Sequence, residues 1–220
     1  MADERRDFEV HDFDAVELRW FGDLIVTQGE GESLTVEGDP DLLQKLSVRV
    51  AGGTLILEIG QDWLERLVEG LRFLGRRPLT YRIGAEKLRR IAVSGRGNVR
   101  CDRLRSDSLT LAISGQGNVR LHDLQARELR AKISGRGEMD LDGVVDDLRI
   151  DIAGSGEVEM PELRTERAEV RISGHGEAEL RVASSLDVTI SGYGRVRYYG
   201  DPRLTQTIAG AGSVKRMGEG

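Results

Sequence analysis

Ile113-Ser114-Gly115-Gln116-Gly117-Asn118-Val119 decides the fold, because it is one of seven copies of a single phrase. The copies read VSGRGNV from Val93, ISGQGNV from Ile113, ISGRGEM from Ile133, IAGSGEV from Ile152, ISGHGEA from Ile172, ISGYGRV from Ile190 and IAGAGSV from Ile208. Their first glycines, Gly95, Gly115, Gly135, Gly154, Gly174, Gly192 and Gly210, are separated by 20, 20, 19, 20, 18 and 18 residues. A period near 20 residues is the signature of a solenoid, in which no single repeat can bury its own apolar face.

Residues on either side of the phrase alternate with a period of two. Before it come Leu109/Leu111/Ile113, Leu129/Ala131/Ile133, Leu148/Ile150/Ile152, Ala168/Val170/Ile172 and Leu186/Val188/Ile190. After it come Val119/Leu121, Met139/Leu141, Val158/Met160, Ala178/Leu180 and Val196/Tyr198, and Leu104, Leu124, Val144 and Leu163 mark a third corner. One apolar side per coil, always in the same columns, predicts an all-β, single-stranded parallel β-helix whose inward faces share one axial core. At about 4.8 Å per coil, seven coils make a rod of roughly 34 Å. Both glycines persist in every copy, as expected where positive φ or close backbone approach forbids a side chain. The residue between them varies from Arg96 to Tyr193 to Ala211 and is expected to face solvent.

Outside the array the pattern changes. Residues 1–12 read as a flexible N-terminus, and 13–60 as an irregular β opening with alternation in Val16–Trp20, Leu24–Val26, Leu34–Val36, Leu46–Val50 and Thr54–Ile59, the last two joined by a Gly52-Gly53 turn. Across 61–77 the period becomes helical: Leu64, Leu67, Val68, Leu71 and Leu74 share one face, with Asp62 and Gly75 as candidate caps. This predicts an inserted amphipathic helix over 62–75 that packs on the β core or covers its end. Regular coils fill 78–216 and a tail 217–220, all in one continuous domain.

Composition narrows the function classes. A formal net charge of −6 and the lack of any basic run give no reason to expect a nucleic-acid partner. No stretch of about 18 apolar residues predicts a membrane-spanning helix, and Met1 to Phe13 lacks the apolar core of a signal peptide. The single cysteine, Cys101, excludes an internal disulfide, and its column (Leu121, Leu141, Met160, Leu180) predicts a buried, inert thiol.

The ISGxGxV phrase, the opening FDAVELRWFGDLIVTQGEGESLTVEGD from Phe13, GGTLILEI from Gly52 and the entry LRRIAVSGRGNV from Leu88 together resemble the auto-transporter adhesin head GIN domain family. The resemblance runs from Phe13 to about Val214. It implies a parallel β-helix in bacterial proteins exported to the cell envelope, with no established catalytic residues. The chain departs from the usual pattern in lacking a signal peptide and in carrying the 62–75 helix, which leaves its compartment open.

Enzymatic constellations are nearly absent. His11, His122 and His175 fall at unrelated places, and GxSxG, HExxH and P-loop motifs are missing. The GxG phrase lacks the third glycine and following helix of a dinucleotide fingerprint. One surface feature emerges when the outward columns are read along the axis. Glu138, Glu157 and Glu177 occupy one column, and Asp140, Glu159 and Glu179 the next. Carboxylates stacked about 4.8 Å apart repel, so the strip invites a counter-ion, either weakly bound Ca²⁺ or a basic partner; the alternative is a solvated face neutralised by mobile Arg side chains.

These readings favour a non-enzymatic β-helical binding or scaffolding protein, adhesin-like and envelope-associated by resemblance, with an unidentified protein or polysaccharide partner. A polysaccharide-acting lyase or hydrolase is one alternative, although 5% aromatic residues leave few stacking platforms for sugars. A self-assembling element is another, because the last coil, Leu204 to Val214, shows no evident polar cap and could form homo-oligomers through the ends of the rod.

Overall fold

A computed structural model describes residues 3–29, 31–60 and 78–218. The regular array consists of β8 (Arg90–Val93), β9 (Val99–Cys101), β10 (Leu104–Ile113), β11 (Gln116–Ile133), β12 (Arg136–Ile152), β13 (Ser155–Ile172), β14 (His175–Ile190), β15 (Tyr193–Tyr199), β16 (Arg203–Ile208) and β17 (Ala211–Gly218). Each pairs in parallel with its equivalent one coil away, as in Leu111↔Ala131, Ala131↔Ile150, Ile150↔Val170 and Val170↔Val188. The fold is the parallel β-solenoid that the repeat predicts. The inward columns on either side of the repeated phrase are buried as read, up to Tyr198 at 8% exposure. Cys101 pairs with Leu121 and lies in the core.

Close approach, not backbone handedness, fixes the corner glycines. The glycines with positive φ all lie elsewhere, for example in the Gly52-Gly53 hairpin turn. A side chain on Gly115 would land on the carbonyl of Gly95, and one on Gly135 on the carbonyl of Gly115. At the second glycines a Cβ would meet the preceding coil's backbone in the early copies, as on Gly117 against the Gly97 carbonyl, and core isoleucines in the later ones, 2.7 Å from Ile133 on Gly156 and 2.9 Å from Ile152 on Gly176. Hydrogen bonds continue through the corner: Ser134 and Gly135 both donate to the Ile113 carbonyl, at 2.9 and 3.2 Å, and Arg136 donates to Gly115 at 2.9 Å.

The N-terminal end departs from the parallel pattern. β2 (Ala15–Leu18) and β3 (Gly22–Gln28) form a coil against β8 and β9, and β6 (Thr54–Ile59) and β7 (Leu79–Ala85) stack on its other side, all in parallel. Beyond these the strands turn antiparallel, β5 (Leu46–Ala51) on β6 and β4 (Ser33–Gly38) on β7. Residues 4–8, expected to be flexible, are instead strand β1 (Glu4–Phe8), paired antiparallel with β4. Its charged side chains stay exposed while its backbone satisfies the β4 edge. A short helix, α1 (Pro40–Lys45), follows the Asp39 N-cap and puts Leu42 and Leu43 into the core. Pro40 at the first helical position suits a helix start, because its fixed φ is helical and its missing N–H is not needed there. The 62–75 helix lies outside the described residues.

Two further expectations change. Val144 is half exposed and does not mark the third corner; Gly143 occupies the Leu124 and Leu163 column, and Val145 supplies the buried side chain. That coil is one residue short, and the register slips there. At the C-terminus, the last coil carries Gln206 in the Val188 column and Arg216 in the Tyr198 column, two polar residues at inward positions where the core ends. β17 also extends two residues past the expected start of the tail.

Replacing Gly115 by Ala forces a methyl group between two hydrogen-bonded coils, and chemical denaturation is expected to show a loss of about 1–3 kcal/mol. The neighbouring Gln116→Ala, whose side chain faces solvent, is expected to stay within about 0.5 kcal/mol of the wild type.

Candidate functional site

The same corner that locks the coils together opens a groove on the outside. Each second glycine leaves the outer surface bare of a side chain, with core isoleucines close beneath it from Gly137 onward. The residue before that glycine and the residue after it stand up on either side. Seven such corners in register give a concavity of about 1050 Å³ with a glycine floor from Gly97 to Gly212. One wall is the column Arg96, Gln116, Arg136, Ser155, His175, Tyr193, Ala211, and the other is Asn98, Asn118, Glu138, Glu157, Glu177, Arg195, Ser213. Six steps of about 4.8 Å make the groove roughly 29 Å long.

Chemistry changes along its length. Near the β2/β3 coil the walls carry amides and guanidinium groups, with the Asn98 side chain donating to Asp23 Oδ1 at 2.8 Å. In the middle one wall becomes acidic. Glu138 pairs with Glu157 and Glu157 with Glu177 in the ladder, and Asp140, Glu159 and Glu179 follow the same order one position outside the groove. The six carboxylates therefore occupy the two columns in which the repeat places them.

Their partners differ from coil to coil. Arg195 Nη1 donates to Glu177 at 2.7 Å, Arg197 Nε to Glu179 at 2.7 Å and Arg197 Nη1 to Glu177 at 3.4 Å. Tyr199 Oη donates to the other oxygen of Glu179 at 3.0 Å. Asp140 lies 3.9 Å from Arg120. Among the described residues Glu138, Glu157 and Glu159 form no ion pair, and no three His, Cys, Asp or Glu side chains are disposed to hold a metal ion. Partial burial, then the charges of Glu159, Glu177 and Glu138, push the Glu157 carboxyl above the usual range, with Arg197 opposing.

His175 and Tyr193 supply an aromatic component to the groove. They are ladder partners at the position between the two glycines, and their rings stack at 5.4 Å between centroids and 5° between planes. Both sit on the groove wall, with Tyr193 65% exposed. The signal was available: both are the variable residue of consecutive copies.

A family profile described as Putative auto-transporter adhesin, head GIN domain, matches residues 12–202. The chain belongs to this family. The solved structure of a putative adhesin from Bacteroides fragilis superposes with a TM-score of 0.90 at 24% identity, covering 98% of this chain and 97% of that one. A putative lipid binding protein from Parabacteroides distasonis gives 0.70 at 22% identity, over 98% and 97%. A putative adhesin from Parabacteroides merdae gives 0.72 at 18%, over 98% and 96%. These likenesses support the fold across the whole chain. No curated protein matches it.

A carboxyl whose folded pKa is raised binds its proton more readily in the native state. Its favourable contribution is present below the unfolded pKa and lost as pH rises through the folded one. Glu157 therefore destabilises the neutral-pH protein. Glu157→Gln is expected to raise the melting midpoint at pH 7 by about 1–2 °C, with the gain vanishing below about pH 4, in parallel thermal melts.

Proposed function

We propose that the protein is a non-enzymatic, envelope-associated binding module whose ligand is a single extended chain, polypeptide or polysaccharide, lying in the glycine groove along the solenoid axis. The observation that carries this reading is the continuity of the groove across seven corners. Roughly nine residues of extended polypeptide would span it. Membership of an adhesin family supports both the binding role and the envelope location. Arg96 and Arg136 engage acidic or hydroxyl-bearing units, the stacked His175–Tyr193 pair offers a platform, and Glu138 and Glu157 receive a cationic group of the ligand. The unpaired carboxylates favour a cationic substituent because a positive charge relieves their mutual repulsion.

Glycan and peptide arrays probed with labelled protein test this. Retention of at least one class of linear ligand, weakened at least fivefold by Tyr193→Ala and by Glu157→Gln, is expected. Binding that neither substitution changes, or release of reducing or unsaturated sugars from the bound polysaccharides, overturns it, the second outcome in favour of a polysaccharide-acting enzyme. Calorimetric titration with Ca²⁺ separates the two counter-ion readings of Glu138, Asp140, Glu157, Glu159, Glu177 and Glu179. Saturable heat lost in Glu157→Gln/Glu159→Gln assigns the strip to the metal, and a flat trace removes the metal reading and leaves a basic ligand or a solvated face.

End-to-end pairing is the second reading. It is favoured by β16 and β17, which among the described residues pair on one side only, and by exposed Ile208 and Met217; Gln206 and Arg216 in the inward columns oppose it. Light scattering that finds only monomer at high concentration removes it.

A further inference from the structure

The array has a second concavity, at a different corner, and its chemistry is opposite to that of the acidic strip. It arises where the third face of the solenoid begins. The chain that leaves β7 crosses to β8 through residues 86–89 without strand pairing, and side chains take the place of the missing ladder. Gln28 Nε2 donates to the Glu86 carbonyl at 3.3 Å and the Arg105 carbonyl at 2.9 Å, while its oxygen accepts from the Arg105 amide at 2.7 Å. Ser106 Oγ donates to the Leu88 carbonyl at 2.8 Å. Below this bridge the small side chains of Ser106 and Ala126, ladder partners in adjacent coils, leave a hollow of about 960 Å³ that ends at Val144. That volume lies within the range of small-molecule sites.

The hollow has an apolar floor and a cationic rim. Val144, half exposed because its coil is one residue short, is the most exposed large aliphatic side chain among the described residues; it pairs with Gln125 in the ladder and lines the hollow together with Ala126. Lys87, Arg89, Arg105 and Arg127 line the rim together with two carboxylates, Asp14 and Asp107. Arg89 is held by Asp14 at 2.6 Å, whereas Lys87, Arg105 and Arg127 form no ion pair among the described residues. Three cations without an ion pair, set against the single remaining carboxylate Asp107, surround apolar surface on a chain of net charge −6, an arrangement that a negative ligand stabilises. Arg adds planar, bidentate geometry suited to carboxylate, sulfate or phosphate.

We infer that this hollow is a binding site for a small amphiphilic anion, an acidic head group on a short apolar body. The head group meets Arg105 and Arg127 at the rim, with Lys87 adding charge, and the apolar body lies on Ala126 and Val144. The site is independent of the glycine groove.

Octyl phosphate, titrated below its micelle concentration into the full chain, tests the assignment, with inorganic phosphate and octyl glucoside as controls. Saturable one-to-one binding of octyl phosphate is expected, at least tenfold tighter than inorganic phosphate, with no saturable binding of octyl glucoside. Arg105→Gln/Arg127→Gln is expected to weaken it at least tenfold without changing the melting midpoint, and Val144→Asp to weaken it comparably. Because all three positions are exposed, folding is preserved, and Lys87→Gln provides a further variant outside the strands. Absence of saturable octyl phosphate binding, equal affinity for octyl glucoside, or unchanged affinity in Arg105→Gln/Arg127→Gln overturns the inference.

Discussion

Everything in this molecule depends on how closely successive coils approach one another at the glycine corner. The ladder sets one spacing for the whole rod, and at the corner the carbonyl of the preceding coil occupies the space a Cβ would need. The contact is backbone on backbone and so repeats without regard to the side chains around it. It holds Ile113, Ile133, Ile152, Ile172 and Ile190 in one buried column and carries hydrogen bonding around the bend. Stability is then shared between neighbours, since no coil has a core of its own.

The same constraint separates structure from surface chemistry. Once the glycines fix the corner, the residues on either side are free to vary, and they do, from arginine through carboxylate to tyrosine. The two concavities arise differently. The glycine groove follows from the repeat itself, whereas the cationic hollow follows from two irregularities, the unpaired 86–89 crossing and the short coil at Gly143. A binding surface made by departures from the period belongs to this chain more than to the architecture.

How far the sequence could be read tracks this distinction. The inward columns, the stacking register of the six carboxylates and the burial of Cys101 were legible because period-two alternation and a period near 20 leave one consistent winding. Val144 was misplaced because apolar character at the right interval looks the same whether or not the register slips by one. β1 was missed because Glu4, Arg5, Arg6 and Asp7 show no alternation; the need of the β4 edge for a partner, a tertiary fact, orders them. α1 was missed because six residues are too few to display a helical period. The stacked His175 and Tyr193 lay in view as equivalent positions of consecutive copies, yet their contact required knowing that the variable position stands on a groove wall.

The pairing of β2 with β8 has a kinetic consequence. Within the array every ladder joins residues about 20 apart, but the joint between opening and array brings Ala15 to Arg90 and Leu24 to Val99. Closing that longer loop costs about 1 kcal/mol more in chain entropy than closing one coil. The C-terminal coils can therefore wind on their nearest neighbours before the opening is seated. Loop length alone thus predicts an assembly polarised along the rod, with the slowest step where the N-terminal strands join the array.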